Sequence, residues 1–123
     1  VKSGINAAID FAENDACFWA ADEEGEIAFY AQCISRTGSY LSAMSEIREG
    51  EPLAYLIAPP IEAVYAVDAA IKAAEVSMTV FFAPPSETNF SGALLTGSQS
   101  ACKAACDAFA AAVMEVAAYP KRY

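Results

Sequence analysis

The chain contains no histidine. That absence excludes Ser-His-Asp and Cys-His catalysis, His-bearing zinc sites and the commonest general base together. Positive charge is also scarce: seven Lys and Arg stand against 16 Asp and Glu, for a net charge of −9. Nucleic acid is therefore not expected as a partner, because its affinity rests on neutralising phosphates with Lys and Arg. Anionic membrane surfaces are disfavoured for the same reason. The sequence has no apolar run near the ~20 residues that span a bilayer, and no charged-then-apolar stretch of signal type opens it. It reads as soluble, and a reduced cytosolic compartment is expected for its four cysteines, without a disulfide framework.

What the chain does have is apolar bulk. Its 123 residues and 13.0 kDa suit one domain with a single core, and 56% of them are apolar, above the usual share. Surfaces that sticky are expected to be buried against other copies of the chain. The excess of acid attracts cations over long range, although most of it is an ordinary solvated surface.

The motif Ala-Pro-Pro-x-Glu occurs twice, as Ala58-Pro59-Pro60-Ile61-Glu62 and as Ala83-Pro84-Pro85-Ser86-Glu87. Each copy follows a short apolar run, so two strands should end in rigid proline corners that each present a carboxylate. The first corner leads into a helix and the second into the polar loop of residues 86–91. A site built there favours a small cationic or amine ligand and is poorly suited to nucleophilic chemistry.

Periodicity supplies the other elements. Ile5, Ala8, Ile9 and Ala12 mark a helix over residues 2–13. It begins at Val1 without a start signal, and we read the chain as a fragment or processed product. Strands are expected at 16–20 and 27–34, joined by a hairpin turn at Asp22-Glu23-Glu24-Gly25. Residues 35–50 read as a turn followed by a short helix or irregular loop. A central strand at 53–57 should lead into a helix over 60–75, with Ile61, Val64, Tyr65, Val67, Ala70 and Ile71 available for packing. Strands at 78–83 and 92–96 follow, then a helix N-capped by Ser98 and ended by Pro120. One strand–helix–strand crossover flanked by hairpins is an α+β arrangement: a mixed, antiparallel-rich sheet with helices on one face.

Each candidate site residue also has an ordinary structural explanation. Pro60 suits a first helical position, where Glu62 would gain ~0.3–1 kcal/mol from the helix dipole. Glu87 fits turn chemistry, with Ser86 and Asn89 bonding nearby backbone. Phe18 and Trp19 are strand neighbours on opposite faces, one of which could wall an amine by cation–π contact. Cys102 and Cys106 share a helix face, and small-residue core packing suits them better than metal, since nothing supplies further ligands. No metal or cofactor is expected. Gly97-Ser98-Gln99-Ser100 lacks the glycine spacing and lysine of a phosphate loop.

Three stretches together carry a family resemblance. They are Ser35-Arg36-Thr37-Gly38-Ser39-Tyr40-Leu41, then Leu56-Ile57-Ala58-Pro59-Pro60-Ile61-Glu62-Ala63, then Pro84-Pro85-Ser86-Glu87-Thr88-Asn89-Phe90 with Leu95 to Cys106. In order, over nearly the whole chain, these resemble the C-terminal half of the EutL family, the tandem-domain shell proteins of ethanolamine-utilisation bacterial microcompartments. The resemblance implies a circularly permuted microcompartment (BMC) shell domain at 16–123. Residues 1–15 would be the last helix of a missing upstream domain. It also implies a non-enzymatic shell component at the microcompartment shell in the cytoplasm, forming pseudohexameric trimers with a gated pore and associating with other shell proteins. Phe18, Glu62, Glu87 and Thr88 would line an ethanolamine site. Pro84, Pro85, Ser86, Asn89 and Phe90 would belong to a pore-gating loop. The family's site also takes an acidic residue from the other half. A soluble small-amine binding or sensor module is the alternative reading.

Overall fold

The structure is a computed structural model and describes residues 5–6, 19–20, 27–83 and 90–118. Its elements in chain order are β1 (Trp19–Ala20), β2 (Ala28–Ile34), α1 (Ser39–Ser45), β3 (Leu53–Ala58), α2 (Pro60–Ala73), β4 (Val76–Phe82), β5 (Ser91–Gly97) and α3 (Gln99–Ala118). Ile5 and Asn6 are helical, in line with the expected N-terminal helix. The expected hairpin turn at 22–25 lies outside the described residues.

The five strands form one sheet in the order β1-β2-β3-β5-β4. All four pairings are antiparallel. The β3–α2–β4 crossover produces no parallel pairing, because β5 inserts between its two strands and runs against both. β3 is central and apolar on both faces, as its composition predicts; Leu53, Ala54, Leu56 and Ala58 are all fully buried.

The core lies between one face of the sheet and helices α2 and α3. Ala54, Leu56, Ala58, Ala93, Leu95 and Phe29 meet Ala63, Ala66, Val67 and Ala70 of α2 and Cys102, Ala105, Cys106, Phe109 and Val113 of α3. Alanine dominates the buried face of α2: of the residues expected to pack, Val67 and Ala70 are buried, and the others are not. Ile61 is 75% exposed, and Val64, Tyr65 and Ile71 are also exposed. The physical reason is close approach: small side chains let α2 lie tightly on the sheet and on α3, leaving bulkier ones outside. The two helices also meet at their outer edge, where the Tyr65 hydroxyl donates to Glu115 Oε1 at 3.5 Å.

The expected N-cap of the last helix is present, with the Ala101 N–H donating to Ser98 Oγ at 3.1 Å. The segment between β2 and β3 resolves into the short helix α1. It is held to the sheet end by backbone bonds from Gly50 to the Thr37 carbonyl (2.9 Å) and from Thr37 to the Glu51 carbonyl (3.2 Å).

Candidate functional site

β3 and β4 both run against β5, so their C-terminal ends emerge from the same edge of the sheet. The register makes this specific: Gly92 of β5 lies opposite Ile57 on one side and Phe82 on the other. Each proline corner begins just beyond that row. With neighbouring strands ~4.8 Å apart, the two corners leave the sheet about 10 Å from one another. Gly92 permits the crossing, because a Cβ there would run into the carbonyl oxygen of Leu56.

The first corner is fully described. Pro59 is extended (φ −56°, ψ 153°) and Pro60 opens α2, where a missing N–H costs nothing. The Ala63 N–H donates to the Pro59 carbonyl at 2.8 Å and closes the first turn. That turn carries Glu62. Its side chain is half-buried, and its carboxylate has no hydrogen bond or ion pair with any described residue. The bland explanation and the functional one therefore both stand: Glu62 faces the positive end of the helix, and its acceptor oxygens are free.

The second corner is described only at its stems. Phe82 ends β4, Ala83 is exposed, Phe90 is half-buried and Ser91 opens β5. Phe18, Pro84, Pro85, Ser86, Glu87, Thr88 and Asn89 lie outside the described residues. The structure thus brings Glu62 and the stems of the second corner to one edge of the sheet.

Ser91 was expected in the polar loop; it is instead the first residue of β5, 1% exposed. Its hydroxyl donates to the Phe82 carbonyl across the base of the loop, while its backbone lies in register with Ala58 of β3. A serine beside a glycine at the start of an apolar run is the only sequence signal of this role, and it is a faint one.

Elsewhere the chemistry is quiet. Cys102 and Cys106 are buried core thiols, as expected. Burial pushes the Cys106 thiol up to about 12, with the neighbouring Cys33 and Cys102 adding to the effect. Cys33 and Cys102 are raised too, again chiefly by burial. All three are therefore poor nucleophiles at neutral pH. Among the described residues no group of three or more Cys, Asp or Glu could hold a metal, and no helix is long and apolar enough to cross a membrane.

The sequence and the fold both have counterparts among known proteins. No protein-family model matches the chain. The bacterial microcompartment shell protein EutL of Clostridium perfringens is 67% identical over 120 residues, covering 98% of this chain. This chain is homologous to EutL. The Escherichia coli EutL is 53% identical over the same share of the chain. The chain spans about half the length of these curated relatives, 55% in each case. The crystal structure of C. perfringens EutL superposes with a TM-score of 0.88 at 65% identity, covering 100% of this chain and 56% of that one. A trimeric bacterial microcompartment shell protein, PduB, shares the fold at a TM-score of 0.66 and 21% identity, over 74% of this chain and 42% of its own. The chain therefore has the α+β fold of a microcompartment shell domain.

Proposed function

We propose that this chain is a non-enzymatic building block of a bacterial microcompartment shell, and that its paired proline corners contribute to a small-amine site specific for ethanolamine. The high identity to EutL supports the shell role over the described fold. The observation that carries the amine site is the common sheet edge from which both corners emerge, one of them holding Glu62 half-buried with its acceptors unused.

In this reading Glu62 and Glu87 accept bonds from the ligand's ammonium, Thr88 adds a polar contact and Phe18 covers the bound molecule. The segment through Pro84, Pro85, Ser86, Asn89 and Phe90 gates the pore. The exposed Ile61, Val64, Tyr65 and Ile71 supply apolar surface for packing against neighbouring shell subunits, consistent with assembly into trimers. The location is the microcompartment shell within the cytoplasm.

A hydrogen bond to a charged group contributes ~1.5–3 kcal/mol, so Glu62→Gln should weaken ethanolamine binding by roughly ten- to a hundredfold. The measurement is a calorimetric titration of protein of full EutL length, with circular dichroism to establish that the fold is retained. Unchanged affinity in the variant would remove Glu62 from the site.

A further inference from the structure

Two separate contacts converge on Ser91. Its backbone lies in register with Ala58, the residue from which the Pro59-Pro60 corner departs toward Glu62. Its side chain, 1% exposed, donates to the carbonyl of Phe82, the last residue of β4 before the second corner. The next residue, Gly92, is already in ladder register with both Ile57 and Phe82. The hydroxyl therefore adds a cross-strand tie beyond the last paired row, at the point where regular pairing between β4 and β5 stops.

Such a tie has a distinct physical consequence. At the end of an antiparallel ladder the strands are free to splay, because no further backbone pair holds them. A hydroxyl-to-carbonyl bond from a buried serine is costly to break, since opening it leaves the hydroxyl without its partner. The bond thus holds the stem of the second corner at a set spacing from β5, and through the Ala58 register at a set spacing from the first corner.

From this geometry we infer that Ser91 is a positioning residue: it ties together the strand ends from which the two proline corners depart, and thereby sets the affinity of the amine site to which Glu62 contributes. The inference rests on the amine-site reading for its ligand and on the described strand ends for its mechanics. Ser91 touches no ligand in this account. Its effect is to raise the fraction of molecules in which the strand ends at Ala58 and Phe82 keep their ladder spacing, and apparent affinity falls in proportion to that fraction.

The same strand provides an internal control. Thr96, near the opposite end of β5, makes the same kind of bond from its Oγ1 to the Pro52 carbonyl at 3.0 Å. Removing that hydroxyl costs a comparable side-chain bond but leaves the corner edge untouched.

The test compares Ser91→Ala with Thr96→Val in protein of full EutL length, using hydrogen exchange and ethanolamine titration on the same samples. Ser91→Ala should speed exchange at the Ala83 and Phe90 amides by about fivefold or more, and weaken ethanolamine binding by a similar factor, the equilibrium equivalent of one ordinary hydrogen bond. Thr96→Val should lower the urea midpoint comparably while leaving both readouts at their wild-type values. Equal weakening by the two variants would reduce Ser91 to a generic contributor to stability and overturn the inference. So would unchanged exchange at Ala83 and Phe90 in Ser91→Ala. If the wild-type protein does not bind ethanolamine, the amine-site reading fails by itself, and the exchange measurement still decides whether Ser91 ties the corners.

Discussion

Cys106 illustrates how one buried side chain couples the core to solution conditions. Its thiol is neutral in folded and unfolded chains alike below the free thiol's 9.0, and burial keeps it protonated in the folded chain up to about 12. As pH rises through that window the unfolded chain gains charge that the folded chain is denied, so the equilibrium moves toward unfolding. Urea midpoints measured across the window should therefore fall with pH, and the fall should be shallower in Cys106→Ala. Equal slopes would show that the thiol does not contribute. The small, buried character of Cys102 and Cys106 was legible in their spacing on one helix face without further ligands. The role of Ser91 was not, because a hydroxyl bonding a carbonyl nine residues away leaves no periodic trace. Glu62 lies between these cases: its place in a first helical turn followed from Pro60, but its unused acceptors required the structure.

At the scale of elements, legibility tracked local chemistry. α3 was readable at its start, where Ser98 supplies a side-chain acceptor for an orphan N–H, and it runs to Ala118, the last described residue. Ser98→Ala should accordingly destabilise the chain by about 1 kcal/mol, read as a lower urea midpoint without a change in slope. A midpoint unaltered by the substitution would mean that the cap bond is replaced by water at no cost. The buried face of α2 was misjudged for a reason that periodicity alone cannot reveal. Large and small apolar residues alternate around the helix, and hydrophobicity favours the large ones. Val67 and Ala70 are buried as expected, but close packing between α2, α3 and the sheet adds Ala63 and Ala66 in place of Ile61, Val64, Tyr65 and Ile71, because small side chains allow the backbones so near. Element ends were off by one or two residues, with α2 ending at Ala73, β4 starting at Val76 and β5 at Ser91, since pairing and packing with distant partners decide where an element begins and ends.

The arrangement of the whole molecule depended most on non-local pairing. The order of elements along the chain was readable, but the insertion of β5 between β3 and β4 was not, and that insertion brings both proline corners to one edge. Two similar motifs 25 residues apart in sequence thus become neighbours only through the sheet. The exposed apolar residues of α2 belong to the same scale: Ile61 at 75% exposure is costly on an isolated domain and useful at an interface. The central claim is that this chain is a shell-building domain, and electron microscopy of the purified protein at high concentration tests it most directly. The account predicts flat, hexagonally ordered layers or discrete trimers. A uniform population of monomers that binds ethanolamine would contradict it and favour a soluble amine sensor.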